Sequence, residues 1–483
     1  MLASDSNILK IKHDVLYEVA KMAYEGTLEE GRDDLPFKMI PGPQPNFRCC
    51  IYREREIIRQ RVRLAEGKAP GPEDDGNLVQ VINSACAGCP ISRYIVTDNC
   101  QKCLSRACKQ ACRFGAISIG RDKSYIDPSK CKECGQCAKA CPYNAIADLM
   151  RPCMKSCPVN AISVSDDGTG IAVIDEEKCI RCGQCIHKCP FGAIGSKTSI
   201  VDIINHIRAG REVIAMLAPA TIGQFGADIT LASWRDALSK LGFAEVEDVS
   251  LGADMTAMSE AREWLLALEQ GEKKTTSCCP AFKRYVKQHF PELSSIVSET
   301  VSPMCAVSRW IKKNHPGAIT VFIGPCIAKK YEAQLGQEGN ADYALTYGEI
   351  RAMMRAKEVK LTAVPESENM GSVYGKKFAG AGGVTAAVLE AMKELGCTED
   401  IDVCKCDGIE ACKKALTLMK FGKLPQSFIE GMACEGGCVG GPSSHREARV
   451  SLKDRTALLA ATPDISIMDN LLSHDAAEIK MTD

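Results

Sequence analysis

Sixteen cysteines fall within residues 78–195, and their spacing constrains what the chain can fold into more than any other feature. Cys131, Cys134, Cys137 and Cys141 form C-x2-C-x2-C-x3-C ahead of Pro142. Cys179, Cys182, Cys185 and Cys189 repeat that pattern ahead of Pro190. Cys100, Cys103, Cys108 and Cys112 give a variant with a longer middle gap. Each unit closes on a similar phrase: RFGAI after Cys112, PYNAI after Cys141, PVNAI after Cys157 and PFGAI after Cys189. The result is a fourfold half-repeat whose third unit keeps only Cys153 and Cys157. Closely spaced thiolates of this kind wrap a polynuclear iron–sulfur cluster. A zinc site would normally use two CxxC or Cys/His pairs.

Composition narrows the class. Hydrophobic residues make up 45% and charged residues 25%, as in an ordinary globular protein. A formal net charge of −1 gives no support for nucleic-acid or membrane-surface partners. The start is mixed charged and apolar, unlike a signal sequence, and no window approaches the roughly 18 apolar residues of a membrane span. The 28 thiols are therefore expected to be reduced metal ligands in the cytoplasm. Three regions are expected: an N-terminal helical segment and linker over 1–77, two tandem cluster-binding modules over 78–198, and an α/β region over 199–483. Ala69–Asn77 reads as the linker, because Pro and Gly break structure and the acids stay solvated. Glu212–Ala220 and Ala318–Pro325 read as buried strands, and Met255–Gln270 and Val384–Gly396 as helices.

Residues 78–198 resemble bacterial-type ferredoxins, α+β modules in which three thiolates of one half and one of the other hold each [4Fe–4S] cube. The resemblance implies a cube on Cys100, Cys103, Cys108 and Cys141, and another on Cys131, Cys134, Cys137 and Cys112. Cys179, Cys182, Cys185 and Cys157 make a third. Cys153 and Cys189 then lack two partners, because Met150 and Ala147 stand where thiols belong. The CxxC of Cys86 and Cys89 is the expected source, giving four accessory cubes. A cube on Cys86, Cys89, Cys100 and Cys103 with the rest re-sorted, or a lost fourth cube, stays open.

Three further motifs, TSCCP (Thr276–Pro280), GPCIAKKYE (Gly324–Glu332) and EGMACEGGCVGG (Glu430–Gly441), have non-ferredoxin spacing. Together and in this order they resemble the catalytic domain of iron-only ([FeFe]) hydrogenases over roughly residues 200–445. The resemblance implies an α/β catalytic domain of two lobes with the active site between them. It implies a six-iron H-cluster, a [4Fe–4S] cube joined to a two-iron CO/CN azadithiolate unit, which interconverts H2 with protons and electrons. The matching cube ligands are Cys279, Cys326, Cys434 and Cys438, with Cys438 as the bridge to the two-iron unit. Lys329 matches the cation beside the cyanides and Glu332 its carboxylate neighbour. Cys278, Glu260, Ser298 and Glu263 match the proton relay. A soluble electron carrier, by default a ferredoxin, and maturation enzymes are the implied partners.

There are departures from the family pattern. Ala267 replaces an arginine at the outer end of the relay. Gly324, Met304 and Ala379 stand where well-studied members have methionine, glutamine and glycine. These changes resemble a less-studied branch of the family. They keep open a hydrogenase-like redox or H2 sensor and an iron–sulfur assembly relative. Cys397, Cys404, Cys406 and Cys412 form no cluster spacing and read as buried thiols; Cys49, Cys50 and Cys305 are unassigned.

Overall fold

The computed structural model describes residues 7–89, 92–366 and 370–482. Strands and helices alternate after residue 200, and both sheets built there are parallel. The first has four strands in the order Glu245–Asp248, Val213–Leu217, Ile319–Ile323, Tyr343–Leu345. The second has three, Lys274–Thr275, Phe428–Met432 and Val403–Asp407. The continuous apolar runs VIAML and ITVFI are buried along their whole length, as strands covered on both faces must be. The two expected strands and two expected helices are present, the helices as Ser250–Gln270 and Gly383–Glu394.

Ser250–Gln270 is buried on nearly every side over its first twelve residues. Its side chains share one core with Ile214 of the first sheet and Phe428 of the second, and Trp264 stacks on Phe428 at 4.2 Å. The helix therefore fills the space between two lobes.

The N-terminal helices do not stand apart. Val15, Val19, Ile58 and Val62 pack in one core with Val213, Ala215 and Leu217 of the first sheet. The expected linker is tied down as well: Arg63 donates to the carbonyls of Ala69 and Gly71 at 2.8 and 2.7 Å, and Lys197 pairs with Asp74 at 2.6 Å.

The cluster region departs from a tandem arrangement. Tyr94–Val96 pairs antiparallel with Ile146–Asp148 and closes one module. Val79–Val81 pairs antiparallel with Ile194–Ser196 and closes the other. One module is thus nested inside the sequence of the other, and the strand ahead of Cys86 is carried to the far end of the outer module. An edge strand has free backbone donors and acceptors whatever its sequence distance, so nesting leaves no trace in the cysteine spacing.

Lys330, one residue after Lys329, holds the catalytic part against the outer module. Its ammonium pairs with buried Glu349 and donates to Ser196 Oγ and the Lys197 carbonyl at 3.2 and 3.0 Å. Lys330→Ala strands the Glu349 charge in the core. It is expected to cost about 3–5 kcal/mol in chemical denaturation, more than Lys→Ala at exposed Lys360.

Candidate metal centre

The half-repeat has a common backbone solution. Gly115, Asn144, Asn160 and Gly192, the third residue after each closing cysteine, all have positive φ, between +49° and +63°. Glycine and asparagine are the residues that adopt this conformation at least cost. The next residue then turns its N–H back onto the cysteine sulfur: Ala116 to Cys112, Ala145 to Cys141, Ala161 to Cys157 and Ala193 to Cys189, at 3.2–3.4 Å. Such donors stabilise thiolate charge and tune cluster potential.

The inner module contains two cavities. One is lined by Cys100, Cys103, Cys108 and Cys141. The other is lined by Cys112, Cys131, Cys134 and Cys137. In the outer module Cys157, Cys179 and Cys182 all act electrostatically on Cys185. Cys86, Cys89 and Cys189 all act on Cys153, whose thiol burial pushes up to about 11. The strand pairing that delivers Cys86 is reinforced by the Ala172 N–H, which donates to its sulfur at 3.3 Å. Among the described residues no three Cys, His, Asp or Glu side chains meet as ligands of one ion. A tetrahedral ion with bonds of about 2.3 Å would draw its thiols to about 3.8 Å apart. A cube, with irons at alternate corners and one thiol on each, spreads them further, and all-cysteine sets of this spacing suit cubes.

The second group of thiols lies at the carboxyl ends of the parallel strands, where open α/β sheets bind ligands. Cys279 follows Lys274–Thr275, Cys326 follows Ile319–Ile323, and Cys434 and Cys438 follow Phe428–Met432. Cys326, Cys279 and Cys438 all act on Cys434. Burial pushes Cys326 up to about 11 and Cys438 up to about 12, and neighbouring thiols add to it. Gly437 lets the backbone close in: its φ is +68°, and a Cβ there would lie 2.6 Å from the Ala379 carbonyl oxygen. This set adjoins the outer module, because Cys182 acts on Cys434 and Cys326 on Cys182.

Beside these thiols lie the remaining candidates. Lys329 Nζ pairs with Glu332 at 2.6 Å and approaches the Cys278 carbonyl at 3.4 Å. Burial alone would lower the Lys329 pKa, but Glu332 and the thiols of Cys305 and Cys326 outweigh it and raise it. Ser302 donates to Glu332 at 3.0 Å, and Cys305 lies against the same pair. Gly324 leaves room that Phe322 takes: a Cβ at Gly324 would lie 2.8 Å from that ring. Met304 and Ala379 are buried in the core around it.

Glu260 is fully buried, and burial pushes its pKa up to about 8, with Glu263 and Glu430 adding and Ser277 opposing. Its Oε1 accepts from the Ser277 N–H at 2.9 Å and hydroxyl at 3.2 Å, while Oε2 has no partner among the described residues. Cys278 feels the charge of Glu260. Ser298 does not bridge the two carboxylates; its hydroxyl accepts the Thr300 N–H at 3.1 Å. The Thr300 hydroxyl is what donates to Glu263, at 2.6 Å, and the Ser277 hydroxyl donates to the Thr300 carbonyl. Ser277 and Thr300 were missed in the sequence, although each stands within two residues of a named candidate. Ala267 is buried where the arginine was expected.

Of the remaining thiols, Cys305 lies beside the Lys329–Glu332 pair. Cys49 and Cys50 are exposed, Cys397 and Cys404 are half-buried where burial was expected, and Cys412 donates to the Met432 carbonyl at 3.4 Å. Cys406 lies 3.9 Å from Cys404 and also contacts Cys412.

The fold and the thiol sets define an iron–sulfur protein with cluster-binding modules joined to an α/β part. The model for the iron only hydrogenase large subunit, C-terminal domain, matches residues 211–442. Models for a 4Fe-4S dicluster domain and a 4Fe-4S binding domain match 151–193 and 124–147. Iron hydrogenase 1 of Clostridium pasteurianum is 32% identical over 377 residues, 66% of this chain and 65% of that protein. The periplasmic [Fe] hydrogenase large subunit of Nitratidesulfovibrio vulgaris is 31% identical over half of this chain and 71% of its own length. A solved [FeFe]-hydrogenase of Chlamydomonas reinhardtii aligns at 22% identity and a TM-score of 0.46, over 56% of this chain and 93% of that one. The chain belongs to the iron-only hydrogenase family. It spans just under two thirds of the clostridial protein's length, and no helix among the described residues is long and apolar enough to cross a membrane.

The Glu260 carboxyl sets a pH signature. Its pKa rises from 4.5 to about 8 on folding, so it costs nothing while neutral in both states and destabilises the fold progressively as pH climbs from 4.5 to about 8. Glu260→Gln is expected to flatten that alkaline loss in melting temperature measured across pH 5–9. An unchanged pH profile would show that the carboxyl is not buried neutral.

Proposed function

We propose that this protein interconverts H2 with protons and electrons, with Cys279, Cys326, Cys434 and Cys438 as ligands of the catalytic cube and Cys438 as bridge to the two-iron unit. The observation that carries the reading is the convergence of those four thiols with Cys278 and the Lys329–Glu332 pair at the strand ends between the lobes. When bound, the six-iron cluster would supply the redox chemistry of H2. Lys329 would donate to its anionic ligands, as a cation with one carboxylate partner can. Cys278 would hand protons to and from Glu260, whose neutral carboxyl can donate or accept near neutral pH. Glu263 would form the outer end, with Ser277 and Thr300 holding the two carboxylates; Ser298 supports Thr300 and so acts on the relay indirectly.

Four accessory cubes would carry electrons, on the Cys100/103/108/141, Cys112/131/134/137, Cys157/179/182/185 and Cys86/89/153/189 sets. Residues 1–77, 78–198 and 199–483 would then serve as support, wire and catalyst. A soluble ferredoxin suits the inner module, where residues 94–148 carry nine Lys and Arg against five Asp and Glu, and Leu104, Phe114, Tyr125 and Tyr143 are exposed. Maturation enzymes would install the two-iron unit, in a reducing cytoplasm. The altered wall at Phe322, Gly324 and Met304 favours one second reading, a slow H2 or redox sensor.

Matured, anaerobic protein is expected to show CO and CN infrared bands and to evolve H2 from reduced ferredoxin; bands without turnover in either direction would exclude the enzyme. Cys326→Ser should abolish both. Cys278→Ala should keep the bands and lose at least ~10²-fold in turnover, as for a lost acid–base group.

The accessory count is tested by iron. Four cubes and a six-iron centre hold about 22 irons, against about 18 without the fourth cube. Cys86→Ser combined with Cys89→Ser should remove about four irons and one paramagnetic signal. A full iron count in that double variant would remove the pair from the ligand set.

A further inference from the structure

We propose that Lys12, Arg48, Arg61 and Arg151 form a cationic shell, with Arg61 and Arg151 buried and Lys12 and Arg48 half-buried, that holds the cube on Cys86, Cys89, Cys153 and Cys189 at the highest potential of the accessory clusters, so that it stores an electron within reach of the catalytic end. The inference rests on the fourth-cube reading above.

The shell is built from residues far apart in sequence. Arg61, on the helix Ile51–Ala65, is 8% exposed; its Nη2 donates to the Gly192 carbonyl at 2.8 Å and its Nε has no partner among the described residues. Arg151 is 4% exposed; its Nη1 donates to the Gly170 carbonyl at 2.7 Å and its Nη2 has no partner among the described residues. Arg48 donates to the Ala85 carbonyl at 2.7 Å and lies over the Phe191 ring at 4.7 Å. Lys12 sits where burial first and then Arg61 push its pKa down to about 8, with Cys189 and Cys185 opposing. Arg61 acts on Cys189 and Arg48, and both Arg151 and Arg48 act on Cys89. No carboxylate forms an ion pair with any of the four among the described residues.

Uncompensated buried guanidinium groups are costly, and their unpartnered donors call for an anion. A cube with four thiolates is that anion. Reduction adds one electron and no proton, so the negative charge grows, and nearby cations in a poorly screened interior favour the reduced state.

At the other accessory sets the cations are paired with carboxylates. Lys123, which acts on Cys100, is paired with exposed Asp98 at 2.8 Å. Cys137 is acted on chiefly by Cys131 and Cys112. Arg181, beside Cys182, is as buried as Arg61 but has Glu176 as its partner. Arg284, which acts on Cys179, shares Glu176 with Arg181, and Asp175 opposes it. The fourth set adjoins the third through Cys153 and Cys185, and the third adjoins the catalytic thiols through Cys182. An electron held there is two transfers from the catalytic end.

The test is a potentiometric titration of the loaded full chain followed by electron paramagnetic resonance. One accessory signal, the one lost in the Cys86→Ser, Cys89→Ser double variant, should reduce at a higher potential than the others. Arg61→Gln and Arg151→Gln should each lower its reduced-to-oxidised ratio at fixed potential about tenfold, which is 59 mV for one electron. Iron content and the other signals should stay unchanged. Arg61→Lys and Arg151→Lys keep the charge and should restore most of the ratio. The inference is overturned if that signal is not the highest, or if the glutamine variants retain their iron and shift nothing. Should a glutamine variant lose iron, the order of potentials in the unmodified chain decides. Failure of the fourth-cube reading looks different: about 18 irons and no signal lost in the double variant.

Discussion

Mutual repulsion among thiolates is the constraint on which the rest of this structure depends. Thiols gathered close together penalise one another's ionisation, most where water is excluded. In the outer module and at the strand ends the chain answers first by making them reluctant to ionise: Cys182 and Cys438 are pushed up to about 12 by burial. Iron must therefore displace protons as it binds, and affinity for it is tied to pH. The chain answers next with backbone. Four N–H···S bonds come from four copies of one turn, and they need glycine or asparagine only at the residue before each donor. It answers last with cations placed where thiols crowd: Lys329 beside Cys326, and buried Arg455, donating to the Pro219 carbonyl at 2.6 Å, beside Cys438.

What could be read in the sequence follows from how local each interaction is. Three thiols of each expected set fall within ten residues and the fourth repeats its place in the partner unit, so the sets expected for the inner module and for Cys157, Cys179, Cys182 and Cys185 could be written from spacing, as could the deficit in the third unit. The strands were legible because burial on both faces leaves an unbroken apolar run. Nesting of one module within the other was not, because it depends on Val79–Val81 meeting Ile194–Ser196 across more than a hundred residues. The role of Lys330 was equally hidden: its partner Glu349 also caps the helix Tyr347–Ala356 through the Thr346 N–H, a pattern that reads as an ordinary capping box. Ser298 was assigned by resemblance, whereas the hydroxyl on Glu263 belongs to Thr300; a two-residue shift along an irregular segment is beyond what spacing can resolve.

The altered pocket wall illustrates a second limit. Gly324 taken alone suggests a larger pocket than a methionine would leave. In the fold the space goes to Phe322, two residues earlier on the same strand, whose ring lies where a Cβ at Gly324 would reach. The ring is anchored on a central strand, and a larger side chain at position 324 would have to displace it or Ala218.

The same low dielectric acts in opposite ways on opposite sides of the strand-end thiols. Toward the outer module, unpaired arginines and a lysine surround thiols, and unscreened positive charge favours arrival of an electron. Toward the helix Ser250–Gln270, no cation compensates Glu260; two further carboxylates raise its pKa, and the group is held neutral and ready to exchange a proton. A cation placed beside Glu260 would pull that pKa down and fix the carboxylate, and a carboxylate beside Arg151 would cancel its field on the thiols. The helix that seals the two lobes has no Lys, and its one Arg is exposed Arg262. Segregation by side keeps the two fields from cancelling: cations act on thiols of the outer module, and carboxylates act on Glu260.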